Sequence, residues 1–476
     1  MRAHEAGVMH SATRGAGHRG PAWLREPADV SALFPGLWPQ NVRRGDDGVL
    51  QVAGVAVTDL ADQHGTPAYV VDEDDFRARA RAFRDEFDTA FRPLCGGADV
   101  YYAAKAFHSV ATARWIAEEG LNLDVCTGGE LAVALHAGFP AARIAMHGNN
   151  KADDELAAAL SAGVGRIVVD GWDEIDRLAA LAREQDVRPQ VLVRVTVGVE
   201  AHTHEYIATA HEDQKFGFAL AGGAAAAAAG EVLARPELEL TGLHSHIGSQ
   251  IFDTGAFEVA ARRVLGLHAQ IATEHGVVLP ELDLGGGYGI AYTSQDDPLS
   301  ARQLAEQMAG IVAHEAQVLG VEVPRVSIEP GRAIAGPSTF TLYRAGAIKP
   351  VELDAGAQRL YVAVDGGMSD NIRTALYDAD YSCTLASRVS DAAPALSRVV
   401  GKHCESGDIV VKDEFLPADV SRGDLIAVPG TGAYCRSLAN TYNHVPRPPV
   451  IAMRDGQGRT IVRRETVQDL LAFDVD

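Results

Sequence analysis

A lysine at position 105 interrupts an otherwise apolar run, Tyr101 to Phe107 (YYAAKAF). Residues of this kind suit a pleated, half-buried strand and its end, so the pattern predicts that Lys105 enters the interior at or near a strand terminus. Burial disfavours an ammonium, and a neutral amine held in a cleft is a nucleophile that condenses with a carbonyl. The alternative is a lysine that snorkels to the surface or pairs with a carboxylate. A second apolar run leads into three consecutive glycines, Gly285, Gly286 and Gly287, within LDLGGGYG (Leu282 to Gly289). Glycines let backbone amides approach an anion with no side chain between, although such runs also serve as simple turns. HSHIGSQ, His244 to Gln250, adds a glycine-and-hydroxyl turn that contains Ser249. Two anion-tolerant loops beside a nucleophilic lysine suggest a phosphorylated cofactor carrying an aldehyde, for which pyridoxal 5'-phosphate is the candidate. Glu329 opens the run EPGR, which continues through Pro330 and Gly331 to Arg332. Its carboxylate could hold a pyridine nitrogen protonated and so make the ring an electron sink; a strand end with a Pro-Gly turn and a surface ion pair is the competing reading. His246 could stack on the ring or be a satisfied core residue.

Such groups need a scaffold that brings them together. Short apolar runs resembling buried parallel strands recur at Val100 to Ala104, Asn122 to Val125, Arg143 to His147, Arg166 to Asp170, Val191 to Val195, Leu240 to His246, Leu282 to Gly285 and Val326 to Glu329. Helical segments such as TGGELAVALHAG and ARQLAEQMAGIVAHEAQVLG fill nearly every gap. Eight strand–helix repeats predict a (β/α)8 TIM barrel, with a doubly wound open sheet as the runner-up. Chemistry in a barrel gathers at the carboxyl ends of the strands. Lys105, Asp124, His147 with Asn149, His246 with Ser249, Gly285 to Gly287, and Glu329 with Arg332 all fall there. A set of polar outliers on one predicted rim is harder to explain by packing than any one of them.

From Arg344 onward strand-like runs return, and a β-rich second domain, sandwich- or barrel-like, is expected from the N- and C-terminal segments together. The expected division is a flexible tail over 1–30, an N-terminal contribution to the β domain over 31–73, the barrel over 74–340 and the C-terminal β-rich domain over 341–476. At 476 residues the chain is too long for one ordinary core, and 47% apolar content is enough to fold it. With 42 basic against 64 acidic residues the formal charge is −22, which argues against a nucleic-acid surface. The five cysteines at 95, 126, 383, 404 and 435 are scattered with no CxxC spacing. They indicate neither a disulfide framework nor a zinc site, and a reducing, cytoplasmic compartment is expected. No stretch is read as a secretory signal or a membrane span; the alanine run Ala224 to Ala229 is too short.

Taken together, YYAAKAF, HSHIGSQ, LDLGGGYG, EPGRAI, CESGD (Cys404 to Asp408) and GAY (Gly432 to Tyr434) stand in the order and spacing of the group IV, or fold type III, pyridoxal-phosphate decarboxylases. The resemblance covers roughly Val49 to Asn443. Within that family it is to the diaminopimelate decarboxylases, and the run Gly198 to Phe218 looks like their actinobacterial form. The chain departs from the wider pattern at Phe107, where asparagine is frequent, and at Thr374, where proline is common. The resemblance implies that Lys105 holds the cofactor through its aldehyde, His246 stacks on the ring, Glu329 contacts the ring nitrogen and Asp124 supports the lysine. Ser249, Gly285 to Gly287, Gly331, Arg332 and Tyr434 would surround the phosphate or its approaches. Arg332, Arg373 and Tyr377 would grip the far carboxylate of the substrate, Tyr434 would also contact it, and Glu405 would bind the distal amine. A zwitterionic far end needs both a forked cation and an anion. Cys404 would reach a partner subunit's site and return a proton, so that a homodimer shares its sites. The implied reaction is decarboxylation of meso-2,6-diaminopimelate at its D-centre to L-lysine and carbon dioxide. Alternatives are a related decarboxylase acting on ornithine, arginine, lysine or carboxynorspermidine, and a catalytically silent cofactor-binding paralogue. The latter would be expected to lose Lys105 or Cys404. A racemase on the same barrel would face the ring nitrogen with a cation, against which Glu329 counts.

Overall fold

The computed structural model describes residues 20–199, 215–353 and 358–476. Most of the run Gly198 to Phe218, on which the actinobacterial likeness rests, therefore lies outside the described residues. The chain divides into two compact units. One comprises Arg77–Gly289 and Pro298–Ile334, and it is a closed barrel of eight parallel strands. These are β1 (Ala98–Ala103), β2 (Asn122–Val125), β3 (Ile144–Met146), β4 (Arg166–Val169), β5 (Gln190–Thr196), β6 (Glu239–His244), β7 (Glu281–Asp283) and β8 (Arg325–Ile328). The ring closes through β8 on β1, with Val326 opposite Ala98. Each strand lies within two residues of its predicted limits. Their near-continuous apolar runs follow from burial on both faces, by the helices outside and the barrel interior within. Predicted strand ends at His147, Asp170, His246, Gly285 and Glu329 run past the ladder, and these residues stand on the rim loops instead.

Local signals fix where the helices begin. After the Lys105 turn, Ser109 caps helix Val110–Glu118 in a reciprocal box with Thr112, and Ser300 does the same with Gln303 for helix Ala301–Leu319. No described helix is long and apolar enough to cross a membrane, and the alanine run forms the start of helix Ala224–Leu233.

The other unit comprises residues 1–76, Ile290–Asp297 and Ala335–Asp476. It holds a mixed nine-stranded sheet and a three-stranded one. Strand Ala68–Asp72 sits inside the larger sheet, antiparallel to Thr339–Glu352 and parallel to Val450–Arg454. Thr339 opposite Val71 commits the chain to this sheet just before 340, which is why the barrel unit ends at Ile334. Residues 290–297, expected in the barrel, join the sheet unit, where the Ser382 amide donates to the Tyr292 carbonyl at 3.1 Å. Part of the expected tail is also ordered, since Gly20 is buried against Leu396 and the Leu24 amide donates to the Pro21 carbonyl. Leu50, Val52, Val70, Phe340, Leu342, Ile451 and Met453 form this unit's apolar core.

Candidate active site

Lys105 stands on the turn after β1, where the Ala104 amide still donates to the Asp124 carbonyl of β2 at 3.0 Å and the Ala106 amide turns back to Ala103. Its side chain is exposed, which corrects the expectation of a buried amine. Its backbone follows the end of β1, and its amine still acts on the buried Asp124 and His246. Asp124 is buried on β2, and burial pushes its carboxyl up to about 6, against the pull of His147 and Lys105. Gly331 packs on the end of β1, where an added Cβ would meet Ala103 at 2.9 Å.

Glu329 follows β8, and its amide donates to the Gly285 carbonyl at 2.9 Å. Two histidines hold its carboxylate. His147 Nε2 lies 2.9 Å from Oε1 and His244 Nε2 lies 3.3 Å from it. Burial favours the neutral acid, yet the paired imidazoles, His147 foremost, hold Glu329 well below the ordinary carboxylate range. Burial opposes charge on His147 as well, but Asp124 and Glu329 together push its pKa up. His244 is driven down to about 4 by burial. Neither His147 nor His244 was assigned a role from sequence. The signal for His244 was its spacing from His246, because residues two apart on a strand share a face.

His246 is also pushed well below its usual value, by burial first and then by Lys105 and Arg194. The Gly286 amide donates to its Nδ1 at 3.3 Å, which makes that nitrogen the acceptor of a neutral ring. The two glycine loops are zipped together: the Ile251 amide donates to the Gly287 carbonyl at 2.9 Å and the Gly289 amide to the Ile251 carbonyl at 3.0 Å. Gly287 has φ of +111°, and a Cβ there would lie 2.5 Å from the Gly248 carbonyl, so only glycine fits. Arg332 Nη2 donates to Ser249 Oγ at 2.8 Å, which joins the EPGR turn to the same loops. Asp283, a further residue with no assigned role, accepts from the Gly285 amide at 2.7 Å and from Ser327 at 2.9 Å. Burial and the nearby Glu329 push its carboxyl up to about 8. Pyridoxal phosphate fits this donor set: an exposed amine, a buried carboxylate paired with imidazoles, an imidazole whose Nδ1 accepts from a glycine amide, and paired glycine loops with a hydroxyl and a guanidinium beside them.

The remaining predicted residues belong to the sheet unit. Arg373 is buried, with Nη1 donating to the Tyr381 hydroxyl at 2.6 Å and the guanidinium 4.8 Å over the Tyr292 ring. Thr374 fills the place where proline is common by donating to the Val410 carbonyl at 3.1 Å. Tyr377 closes the short helix Arg373–Tyr377 and is half-buried. Phe107, the other departure, is buried on the barrel, and its carbonyl accepts from the Tyr102 hydroxyl. Cys404 is exposed, and its amide donates to Asn443 Oδ1 at 3.0 Å. Buried Asp408 ties the loop around it by accepting from the Met368 amide at 2.6 Å and the His403 amide at 2.8 Å. Within that loop Glu405 is half-buried and accepts from the Gly407 amide at 3.2 Å. Tyr434 adopts a left-handed backbone at φ of 66°, a strained conformation for a bulky residue.

A family model described as pyridoxal-dependent decarboxylase, pyridoxal binding domain, matches residues 73–336. The diaminopimelate decarboxylase of Mycobacterium tuberculosis (H37Rv) is 56% identical over 447 residues, 93% of this chain and 98% of that protein. That of Mycobacterium leprae is 54% identical over the full length of both. Among solved structures, diaminopimelate decarboxylase from M. jannaschii in complex with L-lysine superposes with a TM-score of 0.84 at 29% identity, covering 92% of this chain and 98% of that one. Together with the site geometry, these relations place the chain in the pyridoxal-phosphate-dependent diaminopimelate decarboxylase family.

Proposed function

We propose that this enzyme removes carbon dioxide from the D-centre of meso-2,6-diaminopimelate and releases L-lysine, the last step of lysine biosynthesis. The observation that carries the reading is the buried Glu329 carboxylate set between His147 at 2.9 Å and His244 at 3.3 Å, at the end of the barrel that carries Lys105. Bound pyridoxal phosphate supplies an electron sink for the charge left when the carboxylate departs. Lys105 would hold the cofactor through its amine. His246 would lie against the cofactor ring, and Glu329 would hold its ring nitrogen protonated. Ser249, Gly285 to Gly287, Gly331 and Arg332 provide amides, a hydroxyl and a cation for the phosphate. Arg373, Tyr377 and Tyr434 read the far carboxylate of the substrate, with Arg332 assisting, and Glu405 reads the distal ammonium. Cys404 returns the proton to the reacting carbon. Its exposure supports delivery into the site of a second copy of this chain, so a homodimer is the working unit. Five cysteines without a disulfide support a reducing cytoplasm as its location. Purified, cofactor-loaded protein incubated with meso-diaminopimelate should release carbon dioxide and L-lysine. Faster release from ornithine would overturn the substrate assignment.

A further inference from the structure

We infer that His147 is the counter-ion that keeps Glu329 ionised and aimed at the cofactor's ring nitrogen, a positioning role for a residue that does not react. This role rests on the cofactor assignment above. Three buried carboxyls share one layer of the barrel: Asp124 on β2, Asp283 on β7 and Glu329 beyond β8, each no more than 4% exposed. Two like charges 4 Å apart repel by about 4 kcal/mol at an effective dielectric of about 20, so a carboxylate in this company needs a cation to stay ionised. Five basic groups act on this layer: Lys105, Arg194, His147, His244 and His246. Arg194 is paired with Asp170 at 3.7 Å and stacks on Phe216 at 4.3 Å. Lys105 is exposed on the turn after β1, and burial drives the pKa of His246 and of His244 down. His147 alone of the five lies between two carboxylates, 2.9 Å from Glu329 and 3.9 Å from Asp124. Its amide donates to the Val125 carbonyl at 2.8 Å, and the His244 ring meets its imidazole edge-on at 4.8 Å.

The sign of the effect follows from the pairing. With His147 charged, Glu329 remains a carboxylate throughout the neutral range; with a neutral isostere in its place, Glu329 takes up a proton as the pH falls and can no longer hold a pyridinium. The test is the affinity of the full-length, cofactor-stripped protein for pyridoxal phosphate, read by fluorescence from about pH 5 to about pH 9. His147→Gln should move the acid limb of that affinity up by about 1–3 pH units, the usual effect of one close counter-charge, while recovering affinity at alkaline pH. His244→Gln should move the limb far less. A folded H147Q protein whose limb coincides with wild type, or whose affinity falls equally at every pH, overturns the inference. Should H147Q not fold, ring-nitrogen NMR of selectively labelled wild-type protein decides. A His147 ring protonated at about pH 7 supports the role, and a neutral one overturns it. The atoms of His147, His244 and Glu329 also lie within 4.8 Å of one another, a spacing a metal could use, so zinc that binds the stripped protein and blocks cofactor uptake would likewise overturn it. Wild-type protein that takes up no pyridoxal phosphate at any pH would instead sink the cofactor assignment.

Discussion

Gly286→Ala is the sharpest perturbation of the cofactor cradle. A Cβ at that position would lie 2.2 Å from the Glu329 carbonyl oxygen and 3.0 Å from its carbon, against 3.4 Å or more for ordinary contact. The obstacle is backbone, so no flexible side chain can step aside, and the Glu329 segment must move by about 1 Å to remove the overlap. That shift acts on the 2.9 Å bond from the Glu329 amide to the Gly285 carbonyl and on the 2.9 Å pair with His147. Overpacking of this kind costs about 1–3 kcal/mol of stability, and displacing a catalytic carboxylate by about 1 Å costs about a hundredfold in rate. Cofactor titration, turnover of meso-diaminopimelate and a thermal unfolding midpoint, measured on one preparation, separate these contributions. Gly310→Ala is the control, since it lies exposed in helix Ala301–Leu319 with no atom within 4 Å of the added Cβ, and it should gain about 0.5–1 kcal/mol with no change in turnover. A folded G286A protein with wild-type cofactor affinity and rate would refute the claim that Glu329 is held by contact with the glycine loop.

Lys105→Ala should leave a protein that binds pyridoxal phosphate only reversibly and is not labelled by it on borohydride treatment; undiminished labelling would show that another amine captures the aldehyde. Cys404→Ala should lower kcat by about 10²–10⁴-fold, the range for loss of a general acid, with cofactor affinity unchanged. An unaltered kcat would remove its assigned role. Asp370 gives a pH test remote from the barrel. It is 1% exposed, accepts from the Tyr343 hydroxyl and the Gly367 amide, and is pushed up to about 7 by burial from an ordinary 3.8. The folded state then holds a proton that the unfolded state has released between those values, so stability falls as pH rises through that window and levels off above it. Asp370→Asn removes the titration. Its stability relative to wild type should improve from about pH 4 to about pH 7, by on the order of 1.4 kcal/mol per unit, whereas a pH-independent difference in urea unfolding would contradict this.

The barrel was legible because its strands are buried on both faces, which writes each one as a short apolar run, and because a polar residue at the end of such a run has no structural excuse. Lys105, Asp124, His246 and Glu329 were visible for that reason. Lys105 was placed too deep, since hydropathy reports the neighbours of a side chain and not the direction in which the chain curls after Ala103. The residues given no role, His147 on the predicted rim, His244 and Asp283, share a property. Each acts on another protein group, and a supporting contact leaves no motif because it depends on which strands become neighbours across the sheet. His244 faces Asp283 across β6 and β7, and Asp283 faces Ser327 across β7 and β8, pairings that join residues 39 and 44 positions apart in sequence. A period-two reading of the predicted run Leu240 to His246 puts His244 on one face with His246, although the strand itself ends at His244. What it meets there could not be read locally. The chemistry of a carboxylate that must stay charged in a buried site is therefore written in the barrel's closure more than in the EPGR motif, and a variant that preserves EPGR but alters position 147 should change the ionisation of Glu329 without touching the motif.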